Sequence, residues 1–196
     1  EFLIQQELVN ADEHRKKNDA FYADYQRGEL DMQAYLRFVL ATIAGKTPSE
    51  LKPLHDQFMQ KFIRPMLLPK ASALLKAHRE KNHFLLIITA TNRFVTEPIA
   101  KLLGVDDLLA SDAELSDGRY TGKSKGVPCY HAGKVTRLQA WLKDRNYNLE
   151  DAWFYSDSHN DIPLLQAVGH PVAVDADDKL SAHAKQNDWP LISLRD

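Results

Sequence analysis

The sequence contains a single cysteine, Cys129, among its 196 residues. No disulfide can form within the chain, so the sequence predicts a protein of the reducing cytoplasm. Cys129 could act as a nucleophile, but a lone cysteine in a polar loop is usually incidental. The net charge of −2 gives no electrostatic reason to expect nucleic acid or an anionic membrane as partner. No apolar run is long enough to span a bilayer, and no signal peptide is visible.

The first 66 residues show only helical periodicity. Apolar and aromatic residues recur there with the spacing of helix faces, and a fresh helix begins at Asp31. Thr47, Pro48 and Glu50 form the signature of a helix N-terminus. We therefore predict a small helical bundle over residues 1–66, in which the aromatic stripes are packing surface.

From residue 67 onward, short apolar strands alternate with helices. The predicted strands are 83–88, 107–110, 152–155, 172–174 and 191–194, and the predicted helices are 71–81, 97–103, 134–145 and 162–167. Strands that are apolar on both faces and alternate with helices are typical of a parallel sheet covered on both sides. We predict an α/β domain with a doubly wound parallel sheet over residues 67–196, preceded by the helical insert. Asp117-Gly118 predicts a tight β-hairpin within residues 112–122.

Polar residues follow the predicted strands. Thr89 ends one strand, Asp157 and Asp161 follow another, and Asp175 ends a third, while Lys134 opens a helix. In open α/β sheets the ligand lies beyond the carboxyl ends of the strands. A hydroxyl, an ammonium group and carboxylates on one rim suit an anionic phosphate held beside Mg²⁺, which prefers carboxylate and phosphate oxygens. Lys134 would neutralise phosphate oxygens, and Thr89 would donate a hydrogen bond to one of them.

Each of these residues also has an ordinary structural interpretation. Thr89 could cap the next helix, and Asp157 or Ser158 could cap the helix that carries Ile162. Lys134 could be one of many solvent-exposed lysines. The order of these residues along the chain favours a phosphate site. Helix capping alone does not require a hydroxyl residue after one strand, then Gly-Lys, then Asp-x-x-Asn-Asp after another strand.

This ordered set resembles the haloacid dehalogenase-like hydrolase superfamily, and within it the phosphoserine phosphatase-like branch. The segments LLIITAT (85–91), GK (133–134) and YSDSHNDIPLL (155–165) resemble the second, third and fourth motifs. Ser156 stands where the fourth motif normally has glycine. The hairpin and the helical insert also match, so the resemblance covers nearly the whole chain. It implies a Mg²⁺-dependent phosphatase that hydrolyses a small phosphorylated metabolite, such as phosphoserine or histidinol phosphate, through an aspartyl-phosphate intermediate.

The resemblance also implies roles for individual residues. Asp157 would coordinate Mg²⁺. Asp161 would orient Lys134 by a hydrogen bond, and these two residues would be catalytic. Phosphate and substrate would be bound by Thr89, Ala90, Lys134 and Asn160.

The first motif of the superfamily, Asp-x-Asp-x-Thr, does not occur in these 196 residues. In relatives it supplies the nucleophile, the general acid/base and two metal ligands, at the end of a strand in the middle of the sheet. Because the sequence begins without methionine and inside a helical pattern, we expect the motif upstream of Glu1; N-terminal disorder and complementation by another segment are the alternatives. Without that strand, the strands ending at Thr89 and Tyr155 should face a central gap with unpaired backbone groups.

Two other classes of function are alternatives to this hypothesis. A non-catalytic phosphate-binding or scaffolding module fits the sequence as it stands, since no nucleophile is assigned. A nucleotide-binding dehydrogenase is disfavoured, because no Gly-x-Gly-x-x-Gly follows any predicted strand.

Overall fold

The computed structural model describes residues 1–195, which form a mixed α/β fold. The helices are α1 (Phe2–Gln5), α2 (Ala11–Arg27), α3 (Met32–Leu40), α4 (Pro48–Phe58), α5 (Pro69–Glu80), α6 (Arg93–Leu103), α7 (Ala132–Leu142), α8 (Ile162–Leu165) and α9 (Asp178–Gln186). The strands are β1 (Leu86–Asn92), β2 (Asp107–Ser116), β3 (Arg119–Lys125), β4 (Trp153–Ser156), β5 (His170–Val174) and β6 (Leu191–Ile192). Within this described part, no helix has the length and apolar character needed to cross a bilayer.

The chain divides into two compact units. Unit 1 comprises residues 1–66, 91–102 and 110–128, and unit 2 comprises residues 67–90, 103–109 and the chain from Cys129 onward. Unit 1 therefore contains the predicted helical bundle together with most of α6 and most of the hairpin. Unit 2 contains the remaining strands and their covering helices.

The helices of unit 1 begin and end where the sequence carries capping residues. The Thr47 hydroxyl accepts from the Glu50 backbone N–H at 3.2 Å, while the Glu50 carboxylate accepts from the Thr47 N–H at 2.7 Å. This reciprocal capping box starts α4, as predicted. The Asp31 carboxylate caps α3, and Gly28 ends α2 with a φ of 81°, a left-handed conformation that favours glycine.

The predicted β-hairpin is confirmed. Strands β2 and β3 pair antiparallel around Asp117-Gly118, both of which have positive φ. The sequence predicted a separate strand over residues 107–110, but β2 runs without interruption from Asp107 to Ser116. A register shift between Ala113 and Leu115 lies within the predicted hairpin segment, and this local irregularity leaves the strand continuous.

The described strands form two three-stranded sheets, with the orders β1-β2-β3 and β4-β5-β6. In the second sheet both pairings are parallel, as predicted for this part of the chain. Apolar residues of β5, α8 and α9 pack together in one core cluster, which contains Leu165, Ala173, Leu180 and Ala184. The α/β class with parallel strands is confirmed, but the sheet is divided.

The division leaves an apolar groove inside unit 2. Strand β1 pairs only with β2 and strand β4 only with β5 among the strands described, so each ends its sheet. Both strands line one cavity of about 490 Å³, together with apolar side chains of α5 and α7. This groove matches the central gap that we expect between the strands ending at Thr89 and Tyr155.

Candidate active site

Thr89 lies inside β1, which continues to Asn92 instead of stopping at Thr89. The side chain of Asn92 accepts a hydrogen bond from the Val95 N–H at 3.1 Å in the first turn of α6. Asn92 is therefore the residue that caps the helix, and the capping interpretation of Thr89 is wrong. Thr89 and Ala90 are partly buried near the carboxyl end of β1.

Lys134 and Asp161 form a buried ion pair. The Lys134 ammonium lies 2.6 Å from one oxygen of the Asp161 carboxylate and 2.7 Å from the other. Only 8% of the Lys134 side chain and 10% of the Asp161 side chain are exposed. The interpretation of Lys134 as a solvated lysine is therefore wrong. Burying two charges is costly unless they are paired and hydrogen-bonded, so the local structure must hold this contact closely.

Ser156 supplies a further hydrogen bond to the ion pair. Its hydroxyl donates to an Asp161 oxygen at 2.8 Å and accepts from the Ser158 N–H at 3.2 Å. All three residues are buried. A glycine at this position, as in the usual fourth motif, could make neither side-chain contact. The substitution was visible in the sequence, but its partners were not.

Ser158 caps the short 3-10 turn His159–Asp161 by accepting from the Asn160 N–H at 3.3 Å. Neither capping alternative holds for the helix that carries Ile162, because the N-cap of α8 is Asp161, without a side-chain cap bond. Asp157 is left exposed at the end of β4, and its carboxylate has no hydrogen-bond or ion-pair partner among residues 1–195. This carboxylate is free to contact a ligand.

Asn160 belongs to the same loop and is buried, with 1% of its surface exposed. The Tyr130 hydroxyl donates to its side-chain oxygen at 3.0 Å, and its amide group donates to the Ser158 hydroxyl at 3.3 Å. Tyr130 was not predicted, because nothing in its sequence context distinguishes it from a packing aromatic residue. The contact fixes the orientation of the Asn160 amide.

Cys129 is buried against β2. Its thiol is fully buried and lies 3.5 Å from the Leu109 carbonyl oxygen. Burial raises the pKa of the Cys129 thiol, against smaller opposing effects that include the charge of Lys134 and a hydrogen bond with the Thr89 backbone. A raised thiol pKa leaves little thiolate at neutral pH, so Cys129 is unsuited to act as a nucleophile.

Asp175, the third predicted strand-end carboxylate, has a different environment. Its side chain accepts from the Leu194 N–H at 3.1 Å, and its backbone has a φ of 44°. A hydrogen bond with Ser193, followed by that with Leu194, lowers the pKa of Asp175. Asp175 thus anchors the segment after β6, and it is separate from the Lys134 and Asp161 network.

The acidic residues offer an incomplete metal site. No group of three or more His, Cys, Asp or Glu side chains is arranged to hold a metal ion in the described chain. Mg²⁺ needs only one or two protein carboxylates when substrate phosphate and water complete its coordination. The free carboxylate of Asp157 fits one such ligand, while the Asp161 carboxylate is occupied by Lys134 and Ser156.

The sequence profile of the haloacid dehalogenase-like hydrolases matches residues 2–166. The chain belongs to this family. The resemblance predicted from the three motifs is therefore confirmed, and so is the class of phosphatase-type hydrolase, which several related proteins carry in their names.

Two curated proteins show how similar the chain is to its relatives. A histidinol-phosphatase of Neisseria meningitidis serogroup C is 40% identical over 199 residues, covering 100% of this chain and 90% of the relative. A phosphoserine phosphatase of Mycobacterium tuberculosis is 30% identical over 165 residues, covering 84% of this chain and 54% of the relative. The chain thus spans about half the length of this mycobacterial relative.

Solved structures support the fold. A protein of unknown function from Bordetella pertussis Tohama I superposes with a TM-score of 0.90 at 39% identity, covering 98% of this chain and 88% of the other. A phosphoserine phosphatase solved as a phospho-aspartyl intermediate analogue superposes with a TM-score of 0.69 at 18% identity, covering 99% and 85% of the two chains. At that identity the second likeness concerns the fold alone.

Proposed function

We propose that this protein is a Mg²⁺-dependent phosphatase that hydrolyses a small phosphorylated metabolite in the cytoplasm through an aspartyl-phosphate. The observation that carries this proposal is the buried Lys134–Asp161 pair together with the free carboxylate of Asp157. Asp157 and Asp161 belong to the same loop after β4. A structural ion pair would not require an unpaired carboxylate beside it. A phosphate site needs both the cation and a metal ligand.

In this proposal the chain's residues bind and orient the phosphate. The Lys134 ammonium would neutralise phosphate oxygens, and Asp161 and Ser156 would hold that ammonium in one position. Thr89 and Ala90 would donate hydrogen bonds to the phosphate, and Asn160 would lie close to the substrate. Mg²⁺, held in part by Asp157, would supply further charge neutralisation at the phosphate.

The attacking carboxylate is assigned to none of these residues. We propose that it belongs to an Asp-x-Asp-x-Thr segment at the end of a strand that fills the groove between β1 and β4. Two unpaired strand edges and an apolar lining support this location. The helical bundle of residues 1–66 would be the cap domain that selects the substrate, and residues 67–196 would be the catalytic core.

Histidinol phosphate is the substrate that we place first. The relative named as a histidinol-phosphatase matches the whole chain at 40% identity, while the phosphoserine phosphatase matches 84% of it at 30%. Substrate choice depends on residues throughout the cap and core, so the relative with the longer and closer match carries more weight.

The test is a panel of phosphomonoesters assayed with full-length protein, with and without Mg²⁺. We expect metal-dependent phosphate release, with the highest kcat/KM for histidinol phosphate and a lower value for phosphoserine. Phosphate binding without turnover of any panel member would favour the non-catalytic module. Turnover that is independent of Mg²⁺ would contradict the proposed role of Asp157.

A further inference from the structure

A second acidic residue, Asp177, is bonded to the loop that carries Asp157. One oxygen of the Asp177 carboxylate accepts from both the backbone N–H and the ring Nδ1 of His159, each at 2.8 Å. The backbone N–H of Asp177 donates to the Asp157 carbonyl oxygen at 2.9 Å. Three hydrogen bonds therefore connect Asp177 to residues 157–159, on both sides of Ser158.

The same carboxylate also begins helix α9. Its other oxygen accepts from the Leu180 N–H at 2.8 Å, the usual contact of an N-cap aspartate. Capping needs only this second oxygen. The bonds to His159 are thus an additional function of Asp177, and any residue that merely caps a helix would lack them.

The ring of His159 is buried at some cost to make this contact. Because a carboxylate only accepts hydrogen bonds, Nδ1 carries the ring proton that is donated to Asp177. The other ring nitrogen, Nε2, is buried and has no hydrogen-bond partner in the described part of the chain. Leaving a polar atom buried without a partner costs about 1–3 kcal/mol. The ring orientation is therefore dictated by the Asp177 contact.

The hydrogen bonds of Ser156, Ser158 and Asn160 hold the loop on either side of Asp157, and none of them involves the Asp157 carboxylate. That carboxylate has no partner within residues 1–195, so the position of the side chain depends on the backbone of the loop. Strands β4 and β5 are parallel neighbours, with Ser156 opposite Ala173, which brings the segments after them side by side. Asp177 is the residue that joins these two segments.

We propose that Asp177 and His159 act together as a clamp that positions the Asp157 carboxylate for cation binding. This inference rests on the proposed phosphatase function. It assigns positioning roles to two residues, Asp177 and His159, that have no role in that proposal. Outer partners that orient metal ligands typically change metal affinity by about 10–100-fold when removed. The clamp should act in the same way, through the backbone of residues 157–160.

Variants of His159 test the clamp with a matched pair. In His159→Asn the side-chain amide nitrogen occupies nearly the place of Nδ1 and can donate to Asp177, whereas in His159→Leu the donor is lost. In full-length protein we expect His159→Leu to weaken Mg²⁺ binding, measured by calorimetry, by roughly tenfold. His159→Asn should stay close to wild type. KM for the substrate at saturating Mg²⁺ should change little in either variant.

Variants of Asp177 separate the clamp from the helix cap. In Asp177→Ser the hydroxyl can still accept from the Leu180 N–H, but it is too short to reach His159. Asp31→Ser is the control, because Asp31 caps α3 in unit 1 by accepting from the Ala34 N–H at 2.9 Å. Both changes weaken a helix cap, and Asp177→Ser should lower stability further, because the two donors of His159 lose their acceptor. Only Asp177→Ser should weaken Mg²⁺ binding.

A measurement without metal distinguishes failure of the clamp from failure of the proposed function. Amide hydrogen exchange over residues 156–161 should be faster in His159→Leu than in His159→Asn and wild type, with thermal melts that differ much less. Equal exchange in all three proteins would overturn the clamp, as would equal Mg²⁺ affinity of the two His159 variants. Absence of Mg²⁺-dependent turnover in wild type would overturn the proposed function, and the exchange data would still decide whether the loop is clamped.

Discussion

Two regions of unit 2 differ in how completely their polar groups are satisfied. At the ends of the strands, the Lys134, Asp161 and Ser156 side chains are buried, and each has a partner. Between β1 and β4, two strand edges face an apolar cavity without pairing to another described strand. The polar groups of the strand-end network are thus satisfied by described residues, whereas the strand edges at the groove have no described strand beside them. Phosphate binding and phosphate attack should therefore be separable functions of different segments.

The largest expected effect concerns the groove. A protein beginning at Glu1 should have no measurable phosphatase activity at any Mg²⁺ concentration, because no residue of the network is placed to attack phosphorus. A longer protein that adds an apolar strand ending in Asp-x-Asp-x-Thr should be active and should melt at a higher temperature. The measurement compares turnover and thermal unfolding of the two lengths.

Equal turnover by the two lengths would contradict both the groove assignment and the proposed nucleophile. Asp175, which also follows a strand, would then be the first alternative nucleophile. The structure weakens that alternative, because the Asp175 carboxylate is bonded to the Leu194 N–H. A higher melting temperature without activity would show that the groove binds a strand but that the nucleophile lies elsewhere.

The second effect concerns the buried cation of the network. Lys134→Ala should lower kcat/KM by at least about 100-fold, since transition-state charge stabilisation is worth a few kcal/mol. It should also destabilise the fold by about 3–5 kcal/mol, because Asp161 is left buried without its partner. The rate of each variant is therefore expressed per folded molecule, and the folded fraction is determined by urea unfolding at the assay temperature.

Two control variants show which property of Lys134 matters. Lys134→Arg keeps the charge but should not restore activity, because a broad guanidinium does not fit the position of a compact ammonium. Asp161→Asn keeps the size of the side chain and leaves Lys134 without its counter-charge. Retained kcat/KM in Lys134→Ala would return Lys134 to a purely structural role.

The third effect concerns Asp157 and is limited to metal binding. Asp157→Asn should raise the Mg²⁺ concentration needed for half-maximal activity by at least about tenfold. The free energy of unfolding should change by less than about 0.5 kcal/mol, because the side chain is exposed and without a partner. Asp144→Asn, at another exposed carboxylate of unit 2, is the control and should alter neither quantity. An unchanged Mg²⁺ titration of Asp157→Asn would refute the assignment.

Much of the fold was predictable from local signals. The capping box of Thr47 and Glu50 and the turn at Asp117-Gly118 depend only on neighbouring residues, so the sequence indicated both correctly. The order of motifs likewise indicated the family, because each motif is a short segment that is read from neighbouring residues. Features of this kind need no knowledge of distant contacts.

The remainder depended on contacts between distant segments. Nothing near Lys134 in sequence shows that it is buried, because its counter-charge, Asp161, lies 27 residues away. The same applies to Tyr130, whose partner Asn160 is 30 residues away, and to the bonds between His159 and Asp177. Strand ends were misplaced for a related reason, since β1 stops where Asn92 caps α6 and not at the first hydroxyl residue.

The smallest expected effect is a pH dependence at the groove. His78 lines the groove, and its Nε2 lies 2.8 Å from the Tyr155 hydroxyl, while its Nδ1 lies 2.8 Å from Nδ1 of His83. Burial, followed by the positive charges of His83 and Lys81, lowers the pKa of His78 below its ordinary value. The unfolded chain therefore binds a proton more readily than the folded one. The stability contributed by neutral His78 should be present above the unfolded pKa of about 6.5 and should be lost as the pH falls towards the lower folded value.

His78→Asn removes this titration, so its unfolding free energy should fall less than that of wild type between pH 7.5 and pH 5.5. Urea unfolding at several pH values measures both slopes. Tyr155→Phe is the companion variant, because it removes the hydroxyl without removing the titrating group. Tyr155→Phe should lower the free energy of unfolding by about 0.5–1.5 kcal/mol at pH 7.5. The free energy of unfolding should still fall with decreasing pH, as in wild type. Identical slopes for wild type and His78→Asn would show that His78 is solvated in solution. The groove would then be more open to water than its lining indicates.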